Sequence, residues 1–590
     1  MKYKKINIVR YKAINSPIEI DLTKNSLIPI IGINECGKTT ILNAIFAFDH
    51  NNDQFNNSIK QITDVQNLYS TQIGPAIISA IIEIDEQEFK DIYNDFVKEK
   101  IENYQPTHRY KPSQNNKFPG EIIITREISN SDSSYSIDQK QLIRNPVNEN
   151  DFCTEIINHT PYILYFDDFK DSFPDKIEIK ESSDDLSSWA SIIEELFHKT
   201  DPNYSIYDLG NLEKRQRNNI LLDVEKKLND TLTKEWANFR LDDRDALVIK
   251  IAFEKVEEPE KKVDTKSSWP NSNQITKVEK QYLAFEVVEK NPEGKERTFY
   301  VRDRSKGFYW FFNFVMKLEF NPKVVYHFDQ THNNTIYLLD EPGSYLHPLA
   351  QRKLCKKLID LSADNKVIYC THTHYLLDPS IVPINTIHIA EKSNFCNIRL
   401  LKANDFPKND ESLQSAFQPI LDALYINPFN LDFTYKKMLI VEGIYDFYCF
   451  SLFRSSNDYG ILPGKGASGL FDLISIMIGF DIDFKVLWDN DTEGLGNMET
   501  AAKYFGDEIA EDHFRTLQLS GRNGKIILQD LFEGQDLNMI RHKLGLDNNS
   551  SFRKTISTLY YSPSKSLILE AISRKTKERF AQVLTSLEME

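Results

Sequence analysis

The sequence predicts an α/β protein, and three observations carry that prediction. A glycine-bearing octet, Gly32-Ile33-Asn34-Glu35-Cys36-Gly37-Lys38-Thr39, follows the apolar run Leu27 to Ile31 and precedes Thr40 to Phe46, whose apolar residues have helical spacing. The apolar, strand-like run Thr335 to Leu339 ends in Asp340-Glu341-Pro342. Two further strand-like runs, Met438 to Val441 and Phe484 to Trp488, lead directly into Glu442-Gly443-Ile444-Tyr445-Asp446 and Asp489-Asn490-Asp491-Thr492-Glu493-Gly494. Strands alternating with helices, with the chemistry at the strand ends, are the α/β pattern.

At 590 residues the chain is too long for one hydrophobic core, so two or three domains are expected. No apolar run approaches the roughly 18 residues of a membrane span. The basic start, Met1-Lys2-Tyr3-Lys4-Lys5, meets Arg10 and Lys12 before any signal-peptide core can form, which predicts a cytoplasmic protein without a membrane partner. Cys36, Cys153, Cys355, Cys370, Cys396 and Cys449 are scattered without a Cys-x-x-Cys pair, so neither a disulfide framework nor a structural zinc is expected, only reduced and mostly buried thiols. A net charge of −16 opposes non-specific adhesion to nucleic acid, so any DNA path must be a local basic groove.

Each element then has a chemical reading. In the octet, Gly32 and Gly37 let backbone amides wrap the phosphates of ATP, with Asn34 inside the loop and Thr40 directly after it as further nucleotide-binding candidates. Lys38 reaches the outer phosphates and Thr39 can ligate Mg²⁺. Asp340 is placed to hold the metal and Glu341 to polarise the attacking water. The next strand-like run, Lys366 to Cys370, ends in Thr371-His372-Thr373-His374, where His372 can sense the γ-phosphate. The pair His372 and His374 would also suit a metal, but no third soft ligand is spaced for zinc.

Between the octet and these acids the chain is less informative. Asp49 to Tyr165 mixes polar stretches with strands at Ala76 to Ile84 and Glu121 to Ile128, and Ser187 to Trp236 reads as mainly helical. Leu212 to Trp236 is an amphipathic helix that packs on its own domain or pairs with another subunit. The polar stretch Glu257 to Ser272 is expected to be a surface loop between two strands. A glutamine contact to the nucleotide is open between Gln66 and Gln72.

The octet, Leu338 to Pro348 and the Thr371-His372 pair together resemble the ABC-type ATPase head of recombination and chromosome-maintenance proteins. That resemblance implies a signature loop, and Arg302 to Phe312 looks like the variant found in the overcoming-lysogenization-defect (OLD) family. In such heads Ser305 and Gly307 face the ATP of a second protomer. Here Lys306 replaces a glycine and no glutamine follows, so an aromatic core helix starting at Ser305, burying Phe308, Trp310, Phe311 and Phe314, is the competing expectation.

A strand-like Asn385 to Ile389, a helical stretch around Leu413 to Leu424 and the turn-rich Pro428, Asn430 and Asp432 lead to a boundary. This gives an ATPase domain over 1–430, carrying an insertion at about 170–290 that could serve dimerisation, and a second domain over 431–590. From Tyr435 to Glu533 the second domain resembles the Toprim fold: Leu439 to Gly443, Asp446, Leu462-Pro463-Gly464-Lys465-Gly466, and Asp489-x-Asp491-x-x-Gly494. Repulsion among Glu442, Asp446, Asp489 and Asp491 would be costly unless divalent cations or water offset it. An EF-hand is the wrong reading of Asp489 to Gly494, because a strand precedes it and Thr500 stands where a bidentate glutamate is needed. Ile526 to Glu533 resembles the OLD segment that supplies a further metal-binding acid, either Asp530 or Glu533, and Ser562 to Ser566 resembles the place of that family's catalytic lysine, here Lys565.

Taken whole, the resemblance implies an OLD-family ATPase and DNA endonuclease using two Mg²⁺ (or Mn²⁺) ions. It also implies a homodimer through the heads or a higher oligomer, in prokaryotic or phage defence or recombination. Gabija-like or retron-associated systems would supply a helicase, or a reverse transcriptase with its RNA/DNA product, as partner. Two other readings of the same residues are an ATP-gated DNA-binding and loading protein with a structural Toprim domain, and a stand-alone ATPase sensor.

Overall fold

The structure, a computed structural model, describes residues 1–52, 65, 74–100, 105, 108–110, 118–129, 132–143, 147–167, 173–179, 189–239, 248–263, 273–290, 295–320, 335–378, 381–393, 397–403, 437–454, 458–464, 470–479, 481–519, 521 and 524–589. Gln66, Gln72, the stretch Leu413 to Leu424, the junction Pro428 to Asp432, Lys465, Gly466 and Cys396 lie outside them. The chain divides into two compact units, Met1–Val382 with Thr386–Leu401, and Pro383–Asn385 with Lys402–Glu590. Among the described residues no helix is long and apolar enough to cross a membrane. The five described cysteines are free and buried.

The first unit is built on a six-stranded sheet in the order Asn397–Lys402, His388–Ser393, Leu27–Ile31, Lys366–Thr371, Ile336–Asp340, Ile163–Asp167. All five residues of Leu27–Ile31 and of Ile336–Asp340 are buried, as expected for parallel strands covered on both faces. A five-stranded antiparallel sheet lies beside it, and Ala76–Glu83 alternates buried and half-buried residues along its length. The helix Lys38–Phe46 shares one core with both sheets: Ile41, Leu42 and Ile45 are buried with Ile6, Ile8 and Ile78 and with Ile30, Leu338 and Ile368. Side chains close its last turn, with Arg126 Nη1 donating to the Ala47 carbonyl at 2.6 Å and the Tyr135 hydroxyl to that of Phe48 at 2.5 Å. A cation at a helix C-terminus complements the helix dipole.

The insertion adds a third, four-stranded sheet with two helices, Trp189–Thr200 and Lys214–Phe239. Its long strands, Val248–Val263 and Asn273–Lys290, pair antiparallel from Val248 opposite Val288 to Val263 opposite Asn273. Glu257 to Val263, expected to be loop, is therefore strand. Cross-strand pairs explain the difference: Lys255 meets Glu279 at 2.8 Å, Lys277 meets Glu257 at 3.2 Å, and Lys280 meets Glu258 at 3.3 Å, so opposite charges support pairing where apolar alternation is missing. Asn385 to Ile389 also differs from expectation, being a short turn at Ile384–Thr386 before a strand that starts at His388.

In the second unit four parallel strands run in the order Gly460–Pro463, Lys437–Val441, Asp483–Trp488, Phe514–Thr516. Met438 and Ile440 enter a core with the helices Phe471–Gly479 and Thr492–Phe505, while Leu439 and Val441 enter another with Ile444–Phe453, Phe552–Tyr560 and Arg574–Ser586. The period of two sends successive side chains to opposite faces, so helices cover both.

Candidate nucleotide site and acid cluster

Strand order assembles the first site. Lys366–Thr371 lies between the octet's strand and the acid-bearing strand, with Thr371 opposite Ile31 and Asp340 opposite Cys370. Three strand ends therefore deliver Gly32, His372 and Glu341 to one edge. Gly37 caps the helix at φ 101°, a left-handed conformation, and a Cβ there would stand 2.2 Å from Ile398. The Lys38 ammonium donates to the carbonyls of Gly32 (2.9 Å) and Ile33 (3.2 Å) and lies 3.4 Å from a Glu341 oxygen. The other Glu341 oxygen meets His372 Nδ1 at 2.7 Å and accepts from the His372 amide at 3.2 Å. Glu341 thus bridges Lys38 and His372, and its hydrogen bond raises the His372 pKa.

Glu341 holds a φ of 48°, an unusual left-handed backbone for a side chain of its size, costing on the order of 1 kcal/mol. Sequence reading missed what holds it. Gln351 is buried and donates to the carbonyls of Gly343 and Leu346, at 3.0 and 3.2 Å, while accepting from Thr373 Oγ1 at 2.8 Å. Tyr165 donates to Asp340 Oδ2 at 3.0 Å. Neither residue carries a local motif, because Tyr165 reaches Asp340 from another strand and Gln351 links its own loop to Thr373 after the next strand. His374 begins a short turn, and its ring centroid lies 4.0 Å from that of Tyr375 with the planes tilted by 36°. Asn34 and Thr39 are exposed and Thr40 half-buried beside Lys38.

Ser305 caps the helix Lys306–Glu319, accepting from the Phe308 amide at 3.3 Å, and Phe308, Trp310, Phe311 and Phe314 are buried. Ser305 and Lys306 themselves are exposed, and Gly307 adjoins Leu346 and Tyr345. Within one chain Ser305 is thus a helix cap that also presents its residue to the surface.

Replacing Glu341 with glutamine keeps the hydrogen-bonding shape and removes the charge. ATP turnover is expected to fall by about 100-fold with binding retained, in keeping with loss of a general base. A sizing column would show a trapped larger species, and wild-type turnover would remove Glu341 from that role.

The second site stands at the ends of Lys437–Val441 and Asp483–Trp488. Glu442 Oε1 accepts from the Asp489 amide at 2.8 Å, and Asp489 Oδ1 accepts from the Leu528 amide at 3.1 Å. Gly494 lets the chains approach this closely, since a Cβ there would stand 2.2 Å from the Asp489 carbonyl oxygen and 2.9 Å from Glu442 Oε1. Asp491 caps the helix Thr492–Phe505 through the Gly494 amide and meets Lys525 at 3.1 Å, contacts that hold its carboxyl below the usual range. Lys525 was not foreseen from the sequence.

Burial and neighbouring carboxylates push Glu442 up to about 7, Asp446 to about 8 and Asp489 to about 6. Asp530 is among the charges that raise Asp489, whereas Glu533 is held low by Lys575 and Arg579. Of the two alternatives, Asp530 adjoins the cluster and Glu533 is already ion-paired. Lys565 is exposed and lies 5.4 Å over the Tyr560 ring, with no described contact to the four acids. Among the described residues, no three carboxylate, imidazole or thiolate groups converge where one ion could bind. One oxygen each of Glu442 and Asp489 accepts from a backbone amide, and Asp491 meets Lys525. The donor set suits a hard cation chemically, but as neighbours rather than as a formed coordination shell.

These raised values set a pH dependence. The folded values exceed the ordinary carboxylate range near about 4, so the folded chain holds extra protons. Stability from this cluster is full below about pH 4 and is lost as pH rises to about 8. Melting of EDTA-treated protein should fall between about pH 5 and 8, and Asp489→Asn should flatten the fall. A pH-independent melt would contradict the clustering.

The AAA ATPase domain family matches residues 1–377. An uncharacterised protein of Methanocaldococcus jannaschii is 26% identical over 142 residues, 24% of this chain and 36% of that protein, so the chain spans about a third of the length of the curated relative it matches. Similar solved structures include the Smc head bound to the C-winged helix domain of ScpA, at 13% identity and TM-score 0.36, covering 68% of this chain and 98% of that one. The SMC head domain from Thermotoga maritima has 13% identity and TM-score 0.32, covering 68% and 99%.

Proposed function

From the premise that the chain belongs to the AAA ATPase domain family, matched over residues 1–377, we propose an ATPase coupled to a divalent-metal-dependent DNA endonuclease of the OLD type, with a Toprim fold in the second unit. The observation that carries the nuclease half is the placing of Glu442 and Asp489 at the ends of adjoining parallel strands, with Asp446 in the first turn of the helix Ile444–Phe453 that follows Glu442, where burial and neighbouring carboxylates raise all three pKa values. In the first unit Lys38 and Thr39 hold phosphate and Mg²⁺ together with Asp340, Glu341 orients the attacking water, and His372 reports on the γ-phosphate through Glu341. In the second, Glu442, Asp446, Asp489 and Asp491, with Asp530, would hold Mg²⁺ or Mn²⁺. When bound, the ion would supply an activated water and offset charge on the scissile phosphate. Lys525, beside Asp491, is better placed than Lys565 to meet that phosphate. Prokaryotic anti-phage defence, Gabija-like or retron-associated, is the setting this reading suggests.

Supercoiled and linear DNA incubated with the protein and Mg²⁺ or Mn²⁺, with and without ATP, tests the proposal. Metal-dependent strand breaks support it. Their absence under every condition hands the function to an ATP-gated DNA-binding and loading protein.

Dimerisation through the heads belongs to the same reading, with Ser305 and Gly307 completing a partner's nucleotide site. Mixing Ser305→Arg with Lys38→Ala protein should restore one competent site per mixed dimer, so that the mixture outperforms both parents. No recovery in verified mixed dimers would leave Ser305 a helix cap only.

A further inference from the structure

The chain carries a net charge of −16, yet residues 541–579 hold nine Lys and Arg against three acids. On the insertion's sheet, Lys176, Lys250, Lys255, Lys277 and Lys280 each meet a glutamate. The C-terminal helices differ. Arg574, Lys575 and Arg579 are ion-paired, but among the described residues no carboxylate pairs with Arg541, Lys543, Arg553 or Lys554. These four come together because Arg541 Nε donates to Thr555 Oγ1 at 3.3 Å, bringing the last turn of Gly534–Lys543 against the first turn of Phe552–Tyr560.

Two features make this surface costly for the chain alone. Arg553 and Lys554 occupy the first turn of Phe552–Tyr560, which contains no acid, so their charges oppose the helix dipole. Uncompensated like charges on one face also repel each other. Both costs turn into attraction when a polyanion docks. Arg553 further lies 5.5 Å over the ring of Tyr445, so the basic surface meets the helix Ile444–Phe453, whose first turn carries Asp446.

We propose that the turn joining helices Gly534–Lys543 and Phe552–Tyr560 grips the sugar-phosphate backbone of a nucleic acid and leads it toward the acid cluster. The gripping rests on charge and position alone, while the delivery rests on the nuclease reading. Mixed charge on the insertion's ribbon gives no comparable attraction, and a cluster of cations without a carboxylate partner among the described residues suits a phosphate chain.

The test is a fluorescence-anisotropy titration of labelled duplex DNA, and of duplex RNA with the same sequence, in EDTA across a salt series. The triple variant Lys543→Gln, Arg553→Gln, Lys554→Gln should bind more weakly. Its slope of log affinity against log salt should be shallower by about 2.7, three contacts at about 0.9 each for B-DNA. A Lys255→Gln, Lys277→Gln control should keep the wild-type slope. Tighter binding by one duplex identifies it as the polymer gripped. An unchanged slope in the triple variant, or equal losses in the control, overturns the proposal. Binding in EDTA without cleavage when Mg²⁺ is added would leave the surface standing and sink the nuclease reading, and cleavage with an unchanged slope would do the reverse.

Discussion

Lys38→Ala is expected to lower ATP hydrolysis by at least about 100-fold, the scale of losing one preorganised charge donor at a reacting phosphate. Lys38 is 6% exposed, and its ammonium is the described cation that meets both the loop carbonyls and Glu341. Removing it takes away the charge that meets the outer phosphates and leaves Glu341 held by His372 alone among its described ionic contacts. Since the loop is also shaped by Gly32 and Gly37, fold should survive, which circular dichroism can check. Phosphate release at the wild-type rate would sink the nucleotide-site assignment.

Asp489→Ala is expected to lower DNA cleavage by orders of magnitude while ATP hydrolysis persists, because the two sites lie in separate compact units. The folded protein should not suffer, since deleting one member of a crowded acid group relieves repulsion. Loss of Mn²⁺ binding by calorimetry is the accompanying readout. Cleavage as fast as wild type would end the nuclease reading.

Legibility followed locality. The octet could be read because backbone freedom, ammonium and hydroxyl fall within eight consecutive residues. Glu341 could be read because a buried strand ends beside it, and the acids after Val441 and Trp488 for the same reason. Gln351 and Tyr165 could not, since their contacts cross 22 and 175 residues of sequence. The long strands of the insertion were hidden by composition: Glu257 to Val263 is charged and holds Pro259, so pairing depends on residues of the other strand. Choosing between Asp530 and Glu533 needed Arg579 and Lys575, which only folding brings near.

The position of Leu27–Ile31 has a consequence for synthesis. Its described ladder partners are Lys366–Thr371 and His388–Ser393, both made more than three hundred residues later. At about 5–20 residues per second, the ribosome leaves this apolar strand unpaired for roughly 20 to 70 s. During that interval Leu-Ile-Pro-Ile-Ile is an open edge, and the nucleotide site cannot exist. The finished ATPase thus depends on protection of its earliest segment by other folded parts of the nascent chain or by a chaperone. A truncation ending before residue 335 should accumulate as aggregate rather than as a smaller working domain.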